Sequence, residues 1–134
     1  MTEQISRSEE ETVALGRLFG ADLRPGDVVL LEGRLGAGKT AFVRGMAEGL
    51  GCDLEGVSSP TFTIAQEYGG PTRLQHVDLY RLTPAEVDDL ALDDMAEGAV
   101  MAVEWPDRWR DAPRGARRIT IEPTGETTRR IVVE

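Results

Sequence analysis

Lys39 is the residue of this chain with the most chemistry attached to it. It is the only lysine among 15 basic residues, the other 14 being arginines. It stands in Gly33-Arg34-Leu35-Gly36-Ala37-Gly38-Lys39-Thr40, which matches the phosphate-loop pattern G-x-x-x-x-G-K-[ST]. Glycines let the backbone curl so that the N–H groups of Gly33, Leu35, Gly36, Ala37 and Gly38 point inward at phosphate oxygens. The helix that follows adds the positive end of its dipole. The Lys39 ammonium reaches the β- and γ-phosphates, and the Thr40 hydroxyl ligates Mg²⁺. The competing reading is a glycine-rich turn that matches by accident. Glycine makes up 15 of 134 residues, and serine plus threonine another 15. The chance that the single lysine carries Gly before it, Gly five further back and Ser/Thr after it is roughly one in 700 by composition.

A nucleotide site of this kind needs an acid for Mg²⁺ and a group that orients the nucleophile. Asp78 and Glu104 both fall at the ends of strand-like runs. Asp78 follows the weakly apolar Leu74-Gln75-His76-Val77, and Glu104 the strongly apolar Ala99 to Val103. Hydropathy alone therefore ranks Glu104 first, with a solvated carboxylate as the alternative for either. Thr61 and Thr63 follow Ser58-Ser59-Pro60, and such a segment can sense a γ-phosphate. A strand entry with turn-forming serines accounts for them equally well.

The elements around these residues form an α/β pattern. Ser8-Glu9-Glu10-Glu11 reads as a capping box opening a helix that carries Val13, Leu15, Leu18 and Phe19 and stops near Gly20. Asp27 to Glu32 is a buried, parallel-type strand between Gly26 and Gly33. A helix from about Lys39 to Leu50 places Phe42, Val43, Met46, Ala47 and Leu50 on one face. Thr61–Ala65 and Arg73–Asp78 read as strands of a hairpin around Gly69-Gly70-Pro71. Thr83-Pro84-Ala85-Glu86 starts a further helix. Ala99–Val103 is a buried strand, and Ile119/Ile121 with Ile131/Val133 make a C-terminal β-hairpin. The expected fold is one P-loop NTPase-like α/β domain over residues 1–134. Its sheet mixes parallel and antiparallel pairs, with helices flanking it.

Hydrophobic residues make up 40% of the chain and charged residues 29%, enough apolar material for a core. The formal net charge of −9 argues against binding nucleic acid by bulk electrostatics. No apolar run approaches the roughly 20 residues that span a bilayer, so no membrane role is expected. One cysteine, Cys52, and one histidine, His76, exclude an internal disulfide and multi-Cys or His-rich metal sites. A reduced, cytoplasmic setting is the default expectation. Residues 1–107 hold eight basic and 20 acidic residues, whereas residues 108–134 hold seven arginines and four acids. Glu86, Asp88, Asp89, Asp93, Asp94 and Glu97 could dock a basic partner, and Arg114, Arg117, Arg118, Arg129 and Arg130 could meet a nucleic acid or a partner. Solvated faces explain both groups as simply. Trp105 and Trp109 either pair on one helical turn or lie in a loop near the nucleotide.

Taken together, the phosphate loop, Ser59-Pro60-Thr61-Phe62, His76-Val77-Asp78-Leu79-Tyr80-Arg81-Leu82 and Val103-Glu104-Trp105 resemble the TsaE family of small bacterial P-loop ATPases. The resemblance runs from about Ser8 to Val133. It implies a part in forming N6-threonylcarbamoyladenosine at position 37 of tRNAs that read codons beginning with A. It implies binding to a TsaD–TsaB pair, which transfers the threonylcarbamoyl group, with ATP binding and hydrolysis supporting repeated turnover. Contact with tRNA is then indirect, through the complex. By motif position, Lys39 and Thr40 take phosphate and Mg²⁺, and Thr61 lies in a switch-like segment. Asp78 sits near the metal, Glu104 lies at the nucleotide and orients water, and Trp105 borders the pocket.

Other readings of the phosphate loop make different demands. A small-molecule kinase needs a second pocket and an Arg-bearing lid, yet only about 85 residues follow the phosphate-loop helix. There is no asparagine in the chain. That removes the Asn-Lys-x-Asp base reader of guanine-specific GTPases and the Asn of a protein-kinase catalytic loop. A nucleotide-dependent binding module with negligible hydrolysis stays open.

Overall fold

The computed structural model describes residues 2–34, 37–54 and 65–134. Seven strands form one sheet: β1 (Thr2–Ser6), β2 (Val28–Glu32), β3 (Ala65–Tyr68), β4 (Arg73–Asp78), β5 (Ala99–Glu104), β6 (Arg117–Pro123) and β7 (Arg129–Val133). Their order across the sheet is β1-β7-β6-β2-β5-β4-β3. The helices are α1 (Glu9–Gly20), α2 (Lys39–Gly49), α3 (Pro84–Asp88) and α4 (Leu92–Met95), with a 3-10 turn at Pro106–Arg108. The sheet is mixed, as the sequence predicts. β2 runs parallel to both β5 and β6, and β4 runs parallel to β5. The β3–β4, β6–β7 and β1–β7 pairs are antiparallel.

This order fixes where the chemistry can sit. Because β2, β4, β5 and β6 are mutually parallel, Glu32, Asp78, Glu104 and Pro123 all end at one edge of the sheet. Ligands of open α/β sheets bind outside the carboxyl ends of the strands, beside the point where connections diverge. Here that point is the end of β2, where the phosphate-loop sequence begins.

Two apolar layers cover the central strands. On one face Val29, Leu31, Val100, Ala102 and Ile119 pack against Phe42, Val43, Met46 and Ala47 of α2. On the other, Val28, Leu30, Met101 and Val103 pack against Leu79, Val87, Leu92 and Trp109. All six residues of β5 are buried, which is why Ala99–Val103 reads as a continuous apolar run without alternation.

α1 and α2 meet through glycine. A methyl group on Gly16 would lie 2.2 Å from the Phe42 carbonyl oxygen, and one on Gly20 2.5 Å from that of Met46. Across the seam, a methyl group on Gly45 would lie 2.0 Å from the Val13 carbonyl oxygen, and one on Gly49 2.3 Å from that of Arg17. The backbones are therefore in direct contact, and α2 is held at a fixed height against α1. The Ser8 hydroxyl caps α1 by accepting from the Glu11 N–H, the first half of the predicted capping box, while the Glu11 carboxylate accepts from the N–H of Arg7 rather than of Ser8.

Four local features add to the sequence reading. β1 is an edge strand whose residues are exposed up to Ser6, so no apolar alternation announces it. Pairing with β7 holds it, together with the Glu3–Arg130 ion pair. The described part of the hairpin strand is Ala65–Tyr68. It overlaps the expected Thr61–Ala65 only at Ala65, and residues 61–64 lie outside the described residues. The helix begun at Thr83 is capped as expected but ends at Asp88, and Ala91 at φ 53° separates it from α4. Several of the C-terminal arginines have partners within the chain. Arg118 pairs with Glu32, Arg130 with Glu3 and Glu122, and Arg117 lies over the Phe19 ring.

The glycine seam carries a direct prediction. Gly45→Ala forces backbone against backbone and lowers stability by about 2 kcal/mol or more. Gly69→Ala, where nothing lies within 4 Å, stays within about 0.5 kcal/mol of wild type. Urea unfolding of the two variants checks both values.

Candidate functional site

The N-terminus of α2 is built differently from that of α1. α1 has a serine cap and three glutamates in its first turn. α2 begins after Gly38, in the left-handed region at φ 103°, with no side-chain cap and no acid in its first turn. Its first backbone N–H groups are thus left for an outside acceptor, and the dipole there favours an anion. The turn also needs glycine at its start. A methyl group on Gly33 would meet the Ile121 carbonyl oxygen at 2.6 Å.

Lys39 opens α2 and is 5% exposed. Its Nζ donates to the Gly33 carbonyl at 2.7 Å, closing the loop on itself. The same ammonium lies 3.6 Å from Glu104 Oε1 and 4.5 Å from the centre of a Trp105 ring. It is held by charge on one side and by a π face on the other.

Glu104 ends β5 and is 7% exposed. Its second oxygen, Oε2, lies 2.5 Å from His76 Nε2 on β4. Burial pushes the Glu104 carboxyl up, but the hydrogen bond and charge of His76, followed by those of Lys39, outweigh it. The net result is a carboxylate held below its ordinary range. Asp78 stands directly across from Glu104 in the β4–β5 register and is exposed. Its Oδ1 accepts from the Tyr80 N–H at 2.9 Å. The two carboxylates that hydropathy ranked apart therefore sit side by side. The inner one is tied to Lys39 and His76 and the outer one faces solvent.

Trp105 follows Glu104 in a conformation that L residues rarely adopt, φ 59°. Its ring packs on Tyr80 at 4.9 Å between centroids, and its indole N–H is buried without an acceptor among the described residues. Trp109 is in the core beneath, so the two tryptophans do not pair on a helical turn. Trp105 stands just before the 3-10 turn Pro106–Arg108 and beside Lys39.

A cavity of about 520 Å³ collects these groups, within the usual size for a small-molecule site. Gly38, Lys39, Thr40, Asp78 and Glu104 form one wall. Ser8, Glu9 and Thr12 at the start of α1, and Glu126, Thr127 and Arg129 at the β6–β7 turn, complete the cavity's lining. Arg129 ties that turn to the phosphate loop. Its Nε donates to the Ala37 carbonyl at 2.9 Å, and its Nη1 donates to the carbonyls of Thr128 at 2.8 Å and Gly125 at 3.3 Å. None of these residues read as part of a nucleotide site in the sequence. Ser8 read as a cap, and Arg129 as a partner contact or a solvated charge. The available signal was topological: a strand parallel to β2 must deliver its following turn to the phosphate-loop edge.

Among the sequence-predicted site residues, the structure brings Gly38, Lys39, Thr40, Asp78 and Glu104 to one cavity. Gly33 and Trp105 touch Lys39 from behind. Ala37 is buried and bonded to Arg129. Leu35, Gly36 and Thr61 lie outside the described residues. Among the described residues no cluster of three His, Cys, Asp or Glu side chains suits a metal by itself. Two carboxylates and a hydroxyl suit a small hard cation that arrives with phosphate oxygens completing its shell.

Comparison with known proteins agrees with this geometry. The family model described as Threonylcarbamoyl adenosine biosynthesis protein TsaE matches residues 6–131. The tRNA threonylcarbamoyladenosine biosynthesis protein TsaE of Bacillus subtilis (strain 168) is 46% identical over 125 residues, 91% of this chain and 78% of that protein. The protein of the same name from Treponema pallidum (strain Nichols) is 38% identical over 132 residues, 96% of this chain and 97% of that one. The crystal structure of Bacillus subtilis YdiB superposes with a TM-score of 0.79 at 38% identity, covering 97% of this chain and 82% of that one. A family match across nearly the whole chain, spanning the elements that carry Lys39, Asp78 and Glu104, decides its kinship: the chain belongs to the TsaE family.

Proposed function

We propose that this chain is a Mg²⁺-dependent ATPase that binds a TsaD–TsaB pair and supports turnover in N6-threonylcarbamoyladenosine formation on tRNA. The observation that carries the nucleotide reading is the join of Lys39, the uncapped N-terminus of α2 and two carboxylates in one cavity. Family membership carries the tRNA reading. tRNA is met through the complex, in keeping with the acidic balance of the chain and the internal pairing of its C-terminal arginines.

In this reading the backbone from Gly33 through Gly38 cradles the phosphates, Leu35 and Gly36 included. Lys39 exchanges its contact with Glu104 for the β- and γ-phosphates. Thr40, Asp78 and Glu104 would hold Mg²⁺, which would supply charge neutralisation at the phosphate oxygens. Glu104 Oε1 also positions the attacking water, whose oxygen bonds to the γ-phosphorus as the β–γ bridge breaks. The products are ADP and inorganic phosphate. Trp105 closes the back of the pocket, and Thr61 senses the γ-phosphate. The wall of Ser8, Glu9 and the β6–β7 turn takes the nucleoside end. The whole chain acts as one ATPase domain.

Two measurements test the site. Lys39→Ala is expected to lower ATP affinity by about 100-fold or more, the loss of a charge-assisted phosphate contact, with an unchanged far-UV circular dichroism spectrum. Calorimetric titration with ATP reads this directly, and unchanged affinity in the folded variant would sink the assignment. Asp78→Ala and Glu104→Ala are each expected to slow Mg²⁺-dependent phosphate release by about tenfold or more. A variant with wild-type turnover removes that residue from the mechanism. Phosphate appearing on an added metabolite instead of in water would favour the kinase alternative.

A further inference from the structure

His76 is the only histidine of the chain, and it lies in the one place where a ring nitrogen can reach Glu104. It sits on β4 opposite Ala102 of β5, two residues before Asp78 and on the same side of the sheet as Glu104. Its side chain is 11% exposed, and its Nε2 is 2.5 Å from Glu104 Oε2. The other carboxylate oxygen, Oε1, is 3.6 Å from Lys39 Nζ, and both Glu104 and Lys39 line the cavity. The two oxygens of Glu104 thus have separate partners on opposite sides.

We infer that His76 is a positioning residue: it donates Nε2–H to Glu104 Oε2, anchoring that oxygen so that Oε1 is presented to the cavity. This inference rests on the proposed ATPase reading and deepens it. A buried carboxylate with a single cationic neighbour collapses onto it, offering both oxygens to one ammonium. In this site that collapse would bind Glu104 to Lys39 with both oxygens and leave neither for a metal or a water. A strand-borne imidazole prevents it without adding a flexible charge. Its ring has two χ angles, and its backbone is fixed by the parallel β4–β5 pairing. Outer-shell donors of this kind orient the ligands they touch, and their removal typically costs about 10- to 100-fold in activity or metal affinity.

The single histidine makes the hydrogen bond directly visible. In the nitrogen-15 spectrum of the nucleotide-free protein, the ring is expected to carry its proton on Nε2, with a slowly exchanging, far-downfield proton signal. Glu104→Ala should move that signal upfield or lose it to exchange. A ring protonated on Nδ1 alone, or a signal indifferent to Glu104→Ala, would overturn the inference. Kinetics supply the second arm. His76→Ala should lower kcat for ATP hydrolysis by about tenfold, with ATP affinity within about threefold of wild type. His76→Gln, whose amide N–H reaches toward the same oxygen, should recover most of the rate. Wild-type kcat in His76→Ala, a proportional loss of ATP affinity, or no recovery in His76→Gln would each reject positioning. If His76→Ala does not fold, the ring signal in wild type and Glu104→Ala decides alone. If wild type itself hydrolyses no ATP, with or without the partner pair, the ATPase reading fails, and the ring signal still decides whether His76 holds Glu104.

Discussion

A turn of backbone amides can grip an anion only if the helix behind it is held in place by something other than the anion. Otherwise the helix end would shift to find its own acceptors, and the site would have to be rebuilt at each binding event. In this chain the hold is the contact between α1 and α2, where glycine faces backbone at Gly16, Gly20, Gly45 and Gly49. Side chains that could rotate and yield are absent from those positions. The uncapped start of α2 is therefore fixed against α1 and, through Phe42 and Met46, against the sheet. Because the start of α1 lines the same cavity, the seam also sets where those residues stand relative to the start of α2.

The charges follow from that rigidity. Lys39 is buried and needs compensation, which it finds in the Gly33 carbonyl and in Glu104. Glu104 is buried in turn and is shared with His76. Taking one partner from such a set leaves a buried charge uncompensated, a loss of about 3–5 kcal/mol for a buried pair. On the proposed function, a phosphate entering the cavity would replace one partner of Lys39 by another of the same sign. The centre of a Trp105 ring lies 4.5 Å from the ammonium, and Trp105 adopts an unusual backbone angle there.

Much of this was legible in the residues. The phosphate loop, the capped start of α1, the buried β5 and the C-terminal hairpin follow from spacing, because glycine, capping and apolar runs act locally. Legible in a different way was Asp78: hydropathy placed it second, and only the H-x-D-L-Y-R resemblance raised it. Long-range pairing left no local trace. β1 is held by register and an ion pair on a partner more than a hundred residues away. Arg129 reads as surface charge until β6 is known to run beside β2, which carries the β6–β7 turn to the phosphate loop. Ser8 shows its capping role in sequence, while its place on a cavity wall depends on how α1 lies across α2.

The central claim is that nucleotide held at Lys39 drives the chain's part in tRNA modification. The most direct measurement is multiple-turnover formation of threonylcarbamoyladenosine with a purified TsaD–TsaB pair. It includes the adenylate-forming enzyme, threonine, bicarbonate, ATP and a tRNA that reads A-starting codons. Reactions run without this protein, with it, and with its Lys39→Ala variant. The account predicts product accumulating over many cycles only with wild type. Equal product without the protein, or with Lys39→Ala in its place, would contradict it.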